Sequence, residues 1–385
     1  MAKKANKKTN KKTICLNMIV KNESAIIRDT LENITSHIPL DYYVISDTGS
    51  DDNTAEIIEN FFNEKGIKGE IHHDEWVNFA HNRNCALKHA EGKTDYVLIF
   101  DADDRFTGNF VLPEELTSDC YYLRMANGIS GANVYYRPLL FTNDGGFYWR
   151  GVLHEFIEQR KKTSVKQNLS GDYFIISGRF GARSQNAQKY LHDAQVLEKA
   201  FYAPEDEDLK SRYAFYTAQS YRDADMPQKA IEWYAKRANL GEWYEEVYYS
   251  LLQIALLKIE LNASLDEVQS LLLAAYEYRP QRAESLYHLA RQLRFHDKIK
   301  LAYIYANAAV SIPLNNDILF VDHSVYEWKA KDELAVSAYW VGNYQLCHDL
   351  CVELLANPSI PAKDKQRFAE NLKFAQEHFK NMLPL

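Results

Sequence analysis

Residues 96–104 read YVLIFDADD, an apolar run followed directly by Asp101, Ala102, Asp103 and Asp104. A short apolar run bounded by polar residues predicts a strand that is buried in a sheet. Asp101 and Asp103 would then stand at the carboxyl end of this strand, at the edge of the sheet. In sheets of parallel strands, this edge is where ligands bind.

Upstream of this strand, short β-rich runs alternate with amphipathic helical runs. The hydrophobic periods predict strands at 14–20, 42–46 and 71–72, and helices at 24–36, 54–65 and 82–90. This alternation is typical of an α/β domain with a mainly parallel, Rossmann-like sheet. The segments after the strands are unusually polar, with KNES at 21–24 and DTGSDD at 47–52.

Downstream of residue 185 the strand signal ends, and a helical period rich in Ala, Leu and Tyr begins. The pair Ala274-Ala275 recurs as Ala308-Ala309, an offset of 34 residues. Helical pairs with this period predict tetratricopeptide-like repeats, about three to five in number. An irregular helical bundle is the alternative.

These signals divide the chain into a disordered basic tail at 1–12, an α/β domain at 13–185 and an all-helical repeat domain at 186–385. Removing the six lysines of the tail takes the net charge from −8 to −14. The acidity of the remaining chain argues against nucleic-acid binding.

The expected compartment follows from what the sequence lacks. It contains no run of about 18 apolar residues that would span a membrane, and no apolar stretch after the lysines that would act as a secretion signal. The five cysteines are odd in number and scattered, which predicts unpaired thiols in a reducing compartment. We therefore expect a cytoplasmic protein, peripheral at a membrane at most through its basic tail.

Two carboxylates at a strand end indicate a site for a hard divalent cation. Such a cation takes oxygen ligands and offsets the charge of a departing phosphate group. For Asp101 and Asp103, a solvated acidic turn is the alternative.

Four segments together resemble the family-2 group of GT-A glycosyltransferases, over residues 13–160. They are MIVKNE at 18–23, VISDTGSDDNT at 44–54, NFAHNRN at 78–84 and DAD at 101–103. The resemblance implies a GT-A fold that binds a UDP-sugar donor. It assigns donor binding to Asn22, Glu23, Asp47, Asp51, Arg83 and Asp101, and a manganese or magnesium ion to Asp101 and Asp103. For Asp51 and Asp52, capping of the following helix is the competing interpretation.

A further segment, YWRGVLHE at 148–155, is similar to a Gly-x-x-His-Glu step in family members with tetratricopeptide-like helices. The resemblance makes His154 a third metal ligand or a phosphate partner and Glu155 the catalytic base, with Asp104 in reserve. A structural His-Glu pair is the alternative. The sequence also departs here from many family members, which place the base in a Glu-Asp pair. Arg183 would either reach the diphosphate or form a salt bridge in the linker.

The sequence thus predicts an inverting, metal-dependent glycosyltransferase that moves a hexose, by default from UDP-glucose, to a glycan, lipid-linked or peptide acceptor. Its repeats would present the acceptor, a partner protein or a second copy of the chain on a concave, tyrosine-rich surface. The alternative is a protein-interaction scaffold with an inactive transferase-like domain. A nucleotidyltransferase is disfavoured, because residues 17–24 lack a glycine-rich basic phosphate loop.

Overall fold

The structure is a computed structural model that describes residues 11–126, 134–161, 163–178, 181, 183 and 186–382. The chain divides into two compact units, Met1–Ala200 and Phe201–Leu385. The domain boundary expected after residue 185 lies just before a helix at Lys189–Tyr202, most of which belongs to the first unit. Of the expected disordered tail, residues 1–10 lie outside the described residues.

The first unit contains the predicted sheet. Its strands are β1 (Ile14–Val20), β2 (Tyr42–Asp47), β3 (Lys68–His73), β4 (Tyr96–Ile99), β5 (Arg105–Gly108), β6 (Cys120–Ala126), β7 (Val134–Thr142), β8 (Phe147–Arg150), β9 (Phe156–Gln159), β10 (Lys166–Leu169) and β11 (Tyr173–Ile176). Its helices are α1 (Ile27–His37), α2 (Thr54–Lys65), α3 (Phe79–Ala90) and α4 (Lys189–Tyr202). Every strand and helix predicted up to residue 100 is present, with ends shifted by at most three residues.

The main sheet has the strand order β3-β2-β1-β4-β7-β6-β11-β5, with β10 paired to β6, and β8 and β9 form a separate hairpin. Strands β1 to β4 are parallel, as predicted. Strand β7 runs antiparallel to both β4 and β6, so the second half of the sheet is mixed. From β5 to β11 no described helix intervenes, and strands joined without a crossover helix favour antiparallel pairing.

The centre of this sheet brings the polar strand-end segments together. Strand β1 lies between β2 and β4, and its register pairs Val20 with Asp47 and Asn17 with Ile99. All three strands are almost entirely buried, and apolar faces of α1 and α2 pack against them. The loops after β1, β2 and β4 therefore begin at the same edge of the sheet, and each is anchored to a buried strand.

The second unit is all-helical, and its hairpins are the predicted tetratricopeptide-like repeats. Its helices are α5 (Lys210–Asp223), α6 (Pro227–Leu240), α7 (Tyr244–Glu260), α8 (Leu265–Tyr278), α9 (Glu284–Phe295), α10 (Ile299–Val310), α11 (Ala330–Trp340), α12 (Tyr344–Ala356) and α13 (Ala362–Met382). A π-helical turn at Val325–Lys329 leads into α11. Each of these helices packs on the next one along the chain, and α9 also packs on α11.

Buried charges fix the long connection between α10 and the π-helical turn. Glu245 on α7 accepts hydrogen bonds from the amides of Ile318 and Leu319, both at 2.7 Å. The completely buried Arg282 donates to the carbonyl oxygen of Leu319 at 3.4 Å. Residues 311–324 are therefore an integral part of the helical unit.

Many of the tyrosines expected on an open surface pack between helices instead. The fully buried ones in this unit are Tyr213, Tyr221, Tyr234 and Tyr248. Tyr249 is covered by Phe320 of the long connection, with ring centroids 4.8 Å apart. A large ring with one polar atom fills interhelical space well when its hydroxyl finds a partner, as Tyr248 does with Ser285 at 3.0 Å.

The five cysteines are unpaired, as predicted. Within the described part of the chain, no helix has both the length and the apolar character needed to cross a membrane.

Candidate functional site

The carboxyl ends of β1 and β2 border a cavity of about 430 Å³. Its lining includes Asn22 and Glu23 after β1, Thr48 after β2, Trp76 before α3 and Phe79 at the start of α3. The rings of Trp76 and Phe79 meet edge to face, with centroids 4.9 Å apart. A partly apolar cavity of this size, with a few polar groups, suits a small organic ligand.

Two predicted donor-binding residues order the loops after β1 and β2. Asn22, with a φ of 57°, accepts a hydrogen bond at Oδ1 from the amide of Asp51 at 2.9 Å. The buried Asp47 accepts at Oδ1 from the amides of Gly49 at 3.1 Å and Ser50 at 2.8 Å. His73 Nδ1 lies 3.9 Å from Oδ2 of Asp47, beyond hydrogen-bond distance. No described residue donates a hydrogen bond to this oxygen, so it can accept one from a ligand.

Asp51 and Asp52 differ in what their carboxylates do. Asp52 accepts from the amide of Ser24 at 3.1 Å and from the amide of Thr54 at 3.0 Å. Burial opposes the ionisation of Asp52, but its hydrogen bonds lower its pKa to about 2. The side chain of Asp51 is exposed and makes no hydrogen bond to a described residue. Stabilising the start of α2 therefore falls to Asp52, and Asp51 keeps a free carboxylate.

Arg83 joins two predicted site residues that are distant in sequence. Its Nη2 donates to Asp101 Oδ1 at 2.6 Å, and its Nε donates to Glu155 Oε1 at 2.7 Å. The guanidinium is buried and lies over the ring of Trp149, 4.9 Å from its centroid. Burial works to lower the pKa of Arg83, but the two carboxylates raise it above the ordinary value, so the cation is retained. We call this row of side chains the Arg83 cluster.

Asparagines of the NFAHNRN segment position this arginine. Asn78 begins α3 by accepting a hydrogen bond from the amide of His81 at 2.8 Å. Asn84 exchanges two hydrogen bonds with the backbone of Trp149, at 2.8 and 2.9 Å. The first turns of α3 are therefore attached to β8, and this attachment fixes the position of Arg83.

Arg137 on β7 is a site residue that the sequence analysis missed. Its Nη1 lies 3.9 Å from Asp101 Oδ2, opposite the side that faces Arg83. Burial opposes the ionisation of Asp101, but the charges of Arg83 and Arg137 together lower its pKa. The strand VYYRPLLFT has no local signal for this role, because only the pairing of β7 with β4 brings Arg137 to Asp101.

The ionised forms of Asp103 and Asp104 are disfavoured. Burial, followed by the charge of Asp101, raises the pKa of both, that of Asp104 to about 8. Asp104 is only 2% exposed, and its Oδ1 has no hydrogen-bond partner among the described residues. A Cβ on Gly181 would lie 3.3 Å from Asp103 Oδ2 and 3.2 Å from Glu23 Oε1, so these two predicted site carboxylates approach the same point.

The acidic residues after β4 fit a hard divalent cation. Asp101 and Asp103 supply oxygen donors of the kind that Mn²⁺ or Mg²⁺ takes, and a cation would relieve the repulsion that raises the pKa of Asp103. The unpartnered Oδ1 of Asp104 is a further buried oxygen beside them. Within the described residues no three His, Cys, Asp or Glu side chains form a complete ligand set. Phosphate oxygens of a ligand would have to complete the coordination.

His154 and Glu155 follow a tight turn that begins at Gly151. Gly151 has a φ of 95°, a conformation that favours glycine, and His154 has a φ of 54°. His154 is exposed and is not grouped with Asp101 and Asp103 as a ligand set, so its metal role stays a prediction. Glu155 uses Oε1 for Arg83, and no described donor contacts its Oε2.

Arg183 forms the salt bridge that was one of its two predicted roles. It pairs with Asp193 of α4, and its guanidinium lies over Phe79, 4.7 Å from the ring centroid. Since Arg183 also lines the cavity, this ion pair closes one of its walls.

Residues 15–177 match the family described as Glycosyl transferase family 2. No curated protein matches the chain. Among solved structures, TarS 1-349 of S. aureus is similar at 14% identity, covering 63% of this chain and 88% of that chain, with a TM-score of 0.33. MamA is similar at 14% identity, covering 50% and 90%, with a TM-score of 0.32. The kinesin light chain TPR-like repeats of Podosopora anserina are 16% identical, covering 47% and 90%, with a TM-score of 0.34. At such TM-scores these three likenesses carry no weight for function.

Proposed function

We propose that this chain is a glycosyltransferase, inverting and metal-dependent, that takes a hexose from a UDP-sugar, by default UDP-glucose. The match of residues 15–177 to glycosyl transferase family 2 supports this proposal. The observation that carries the proposal is the Arg83 cluster. Its buried guanidinium holds Asp101, a predicted donor and metal residue, in a fixed relation to Glu155, the predicted base.

The free polar atoms of the site match the parts of a UDP-sugar. Asp47 Oδ2 can accept the uracil N–H, and the carboxylate of Asp51 can accept from ribose hydroxyls. Arg83 Nη1 donates to no described residue and can bind a diphosphate oxygen through a charge-assisted hydrogen bond. Asp101 and Asp103, with His154 as the predicted third ligand, would hold Mn²⁺ or Mg²⁺, which offsets the charge of the leaving diphosphate.

In the transfer step, an acceptor hydroxyl attacks the anomeric carbon on the side opposite UDP. The new C–O bond forms while the bond from the anomeric carbon to the diphosphate breaks, and the hydroxyl proton passes to Glu155. Arg83 orients this carboxylate through Oε1, which leaves Oε2 to accept the proton. One displacement inverts the anomeric configuration.

The acceptor is a glycan, a lipid-linked intermediate or a peptide. The helical unit would present it, and it also offers surfaces for a partner protein or a second copy of the chain. A scaffold without transferase activity would bind partners yet release no nucleotide from any sugar donor.

The proposal is tested by incubating the purified full chain with UDP-glucose, UDP-galactose, UDP-N-acetylglucosamine and Mn²⁺ and measuring released UDP. Calorimetry of UDP binding, with and without a chelator, tests the metal. Asp103→Asn should remove most of the metal-supported binding, whereas Asp29→Asn, at a carboxylate whose side chain is 74% exposed, should not. UDP binding that a chelator leaves unchanged would show that the metal role of Asp101 and Asp103 is wrong.

A further inference from the structure

The helical unit contains a second cavity, of about 460 Å³, formed by α9, α11, α13 and the π-helical turn. We call it the α9–α13 groove. Its volume falls in the range of ligand pockets, and it is lined mostly by polar and charged side chains, with Tyr287 and Trp328 as its aromatic members.

The π-helical turn delivers two consecutive side chains, Trp328 and Lys329, to this groove. A π-helical turn inserts one extra residue per turn and occurs frequently at functional sites. Trp328 packs against the apolar cluster of Leu354, Ile360 and Phe368, and its half-buried ring also borders the groove. The ring is therefore held in place by the protein core and still reaches the cavity.

The charges of the α9–α13 groove are largely neutralised within the protein. Arg294 forms two hydrogen bonds to Glu333, at 2.5 and 3.1 Å. Arg367 forms two to Asp332, at 2.7 and 2.8 Å. Paired forks of this kind hold planar arrays of donors and acceptors in fixed positions. A polyanionic ligand would have to displace these carboxylates, whereas a neutral ligand with many hydroxyl groups can bind the paired groups as they stand.

Arg291 provides a further donor in the groove. It is exposed, and within the described residues no carboxylate lies at salt-bridge distance from it. The guanidinium of Arg291 lies 5.4 Å from the centroid of the Phe295 ring and interacts with Tyr287 of the groove. A guanidinium without a carboxylate partner, beside aromatic rings and between paired charges, gives both a hydrogen-bonding edge and an apolar face. A pyranose ring has the same two characters, because its hydroxyls lie at the rim and its C–H groups on the faces.

We propose that the α9–α13 groove binds a neutral oligosaccharide, as the site at which the acceptor glycan docks. The inference rests on the proposed transferase function for its role but not for the binding itself. An acidic peptide is the competing occupant, and the matched ion pairs of Arg294 and Arg367 argue against it.

The test uses the full chain on an array of neutral oligosaccharides built from hexoses, deoxyhexoses and N-acetylhexosamines, without donor, followed by calorimetry of the best ligand. We expect Trp328→Ala and Arg291→Ala each to weaken binding at least tenfold. Trp340→Ala is the control, because this tryptophan is 67% exposed on α11 and does not line the groove. Since Arg291 is exposed, its variant keeps the test valid if Trp328→Ala unfolds.

Binding of no array member, or binding unaffected by both groove variants, would overturn the inference. So would tighter binding of hexaglutamate than of any oligosaccharide. UDP release from sugar donors by the wild-type chain is measured separately. Failure of that assay with intact oligosaccharide binding would count against the proposed function alone.

Discussion

Each unit of the molecule contains an arginine buried between two carboxylates. The two clusters differ in whether the carboxylate oxygens all have hydrogen-bond partners. In the sheet unit, Arg83 bonds Asp101 and Glu155 over the ring of Trp149. In the helical unit, Arg282 bonds Glu284 at 2.7 Å and Asp317 at 3.4 Å over the ring of Tyr248.

The difference lies in the remaining oxygens of the carboxylates. Glu284 also accepts from Tyr326 at 2.8 Å, and both carboxylates around Arg282 are at most 3% exposed. The side chain of Asp101, by contrast, is 29% exposed, and Glu155 keeps Oε2 without a described donor. Burial and ion pairing therefore do not by themselves mark a site. What marks it is a buried charge whose carboxylate partners still have oxygens that accept no hydrogen bond from a described residue.

The largest effect should come from the free oxygen of Glu155. We expect Glu155→Gln to lower turnover by about 10² to 10⁴-fold with UDP-sugar affinity near normal, because a positioned base contributes on that scale to the chemical step alone. Steady-state kinetics with the product analysed by NMR measure both rate and anomeric configuration. Near-normal turnover, or a product of retained configuration, would refute the assignment.

Substitutions around Arg282 should change the stability of the fold and leave the donor site unaffected. Arg282→Met leaves Glu284 buried and unpaired, which costs about 3–5 kcal/mol in the free energy of unfolding. The double variant Arg282→Met/Glu284→Gln should recover part of that loss, because it removes the uncompensated charge. Urea unfolding measures both variants, and UDP binding at 25 °C should match the wild type wherever the chain is folded. If Arg282→Met alone lowered UDP affinity, the contrast between the two clusters would fail.

A pH effect should appear in the helical unit at His288. Burial, followed by the charge of Arg291, lowers the pKa of His288 to about 4, so the folded state keeps the neutral ring while the unfolded chain binds a proton near pH 6.5. This contribution to stability is present above pH 6.5 and is lost between pH 6.5 and 4, by at most about 1.4 kcal/mol per pH unit. His288→Asn should flatten that part of the stability profile in urea unfolding. The exposed His323→Asn is the control, and an unchanged profile for His288→Asn would contradict the prediction.

The smallest effect separates the adjacent Asp51 and Asp52. Asp52→Ala should cost about 0.5–2 kcal/mol of stability through the lost start of α2, with UDP binding largely kept. Asp51→Ala should change stability by less than about 0.5 kcal/mol but weaken UDP binding by about tenfold, since it removes a free carboxylate from the donor site. Thermal unfolding and calorimetry of both variants test this pair. The reverse pattern would mean that the two aspartates had been assigned the wrong way round.

Local signals predicted much of this molecule. The period of apolar residues located strands β1 to β4 and their helices, including the last residue of α2 at Lys65. The polar segments after the strands pointed to the loops that do meet at one edge. The resemblance to family 2 then placed Arg83 with Asp101, and the structure brings these two within 2.6 Å.

The features that the sequence did not reveal depend on contacts between residues that are far apart in the chain. The antiparallel β7 carries Arg137 to Asp101, and no local pattern distinguishes that arginine from others. The opposite roles of Asp51 and Asp52 depend on which carboxylate faces Ser24. The sequence showed that the helical domain is rich in tyrosine. It did not show whether the tyrosine rings are exposed or buried, because such rings are common both on surfaces and between helices.

The connection at residues 311–324 should show slow amide hydrogen exchange, although it contains an exposed apolar side chain. The amides of Ile318 and Leu319 both end on the buried Glu245, while the side chain of Ile318 is 81% exposed. Hydrogen–deuterium exchange at these amides requires that the Glu245 and Arg282 contacts open, so it should be slow and should follow the unfolding of α7 and α9 as one cooperative unit. We therefore expect Ile318 to expose an apolar side chain to solvent on a backbone that opens only together with the helices around it.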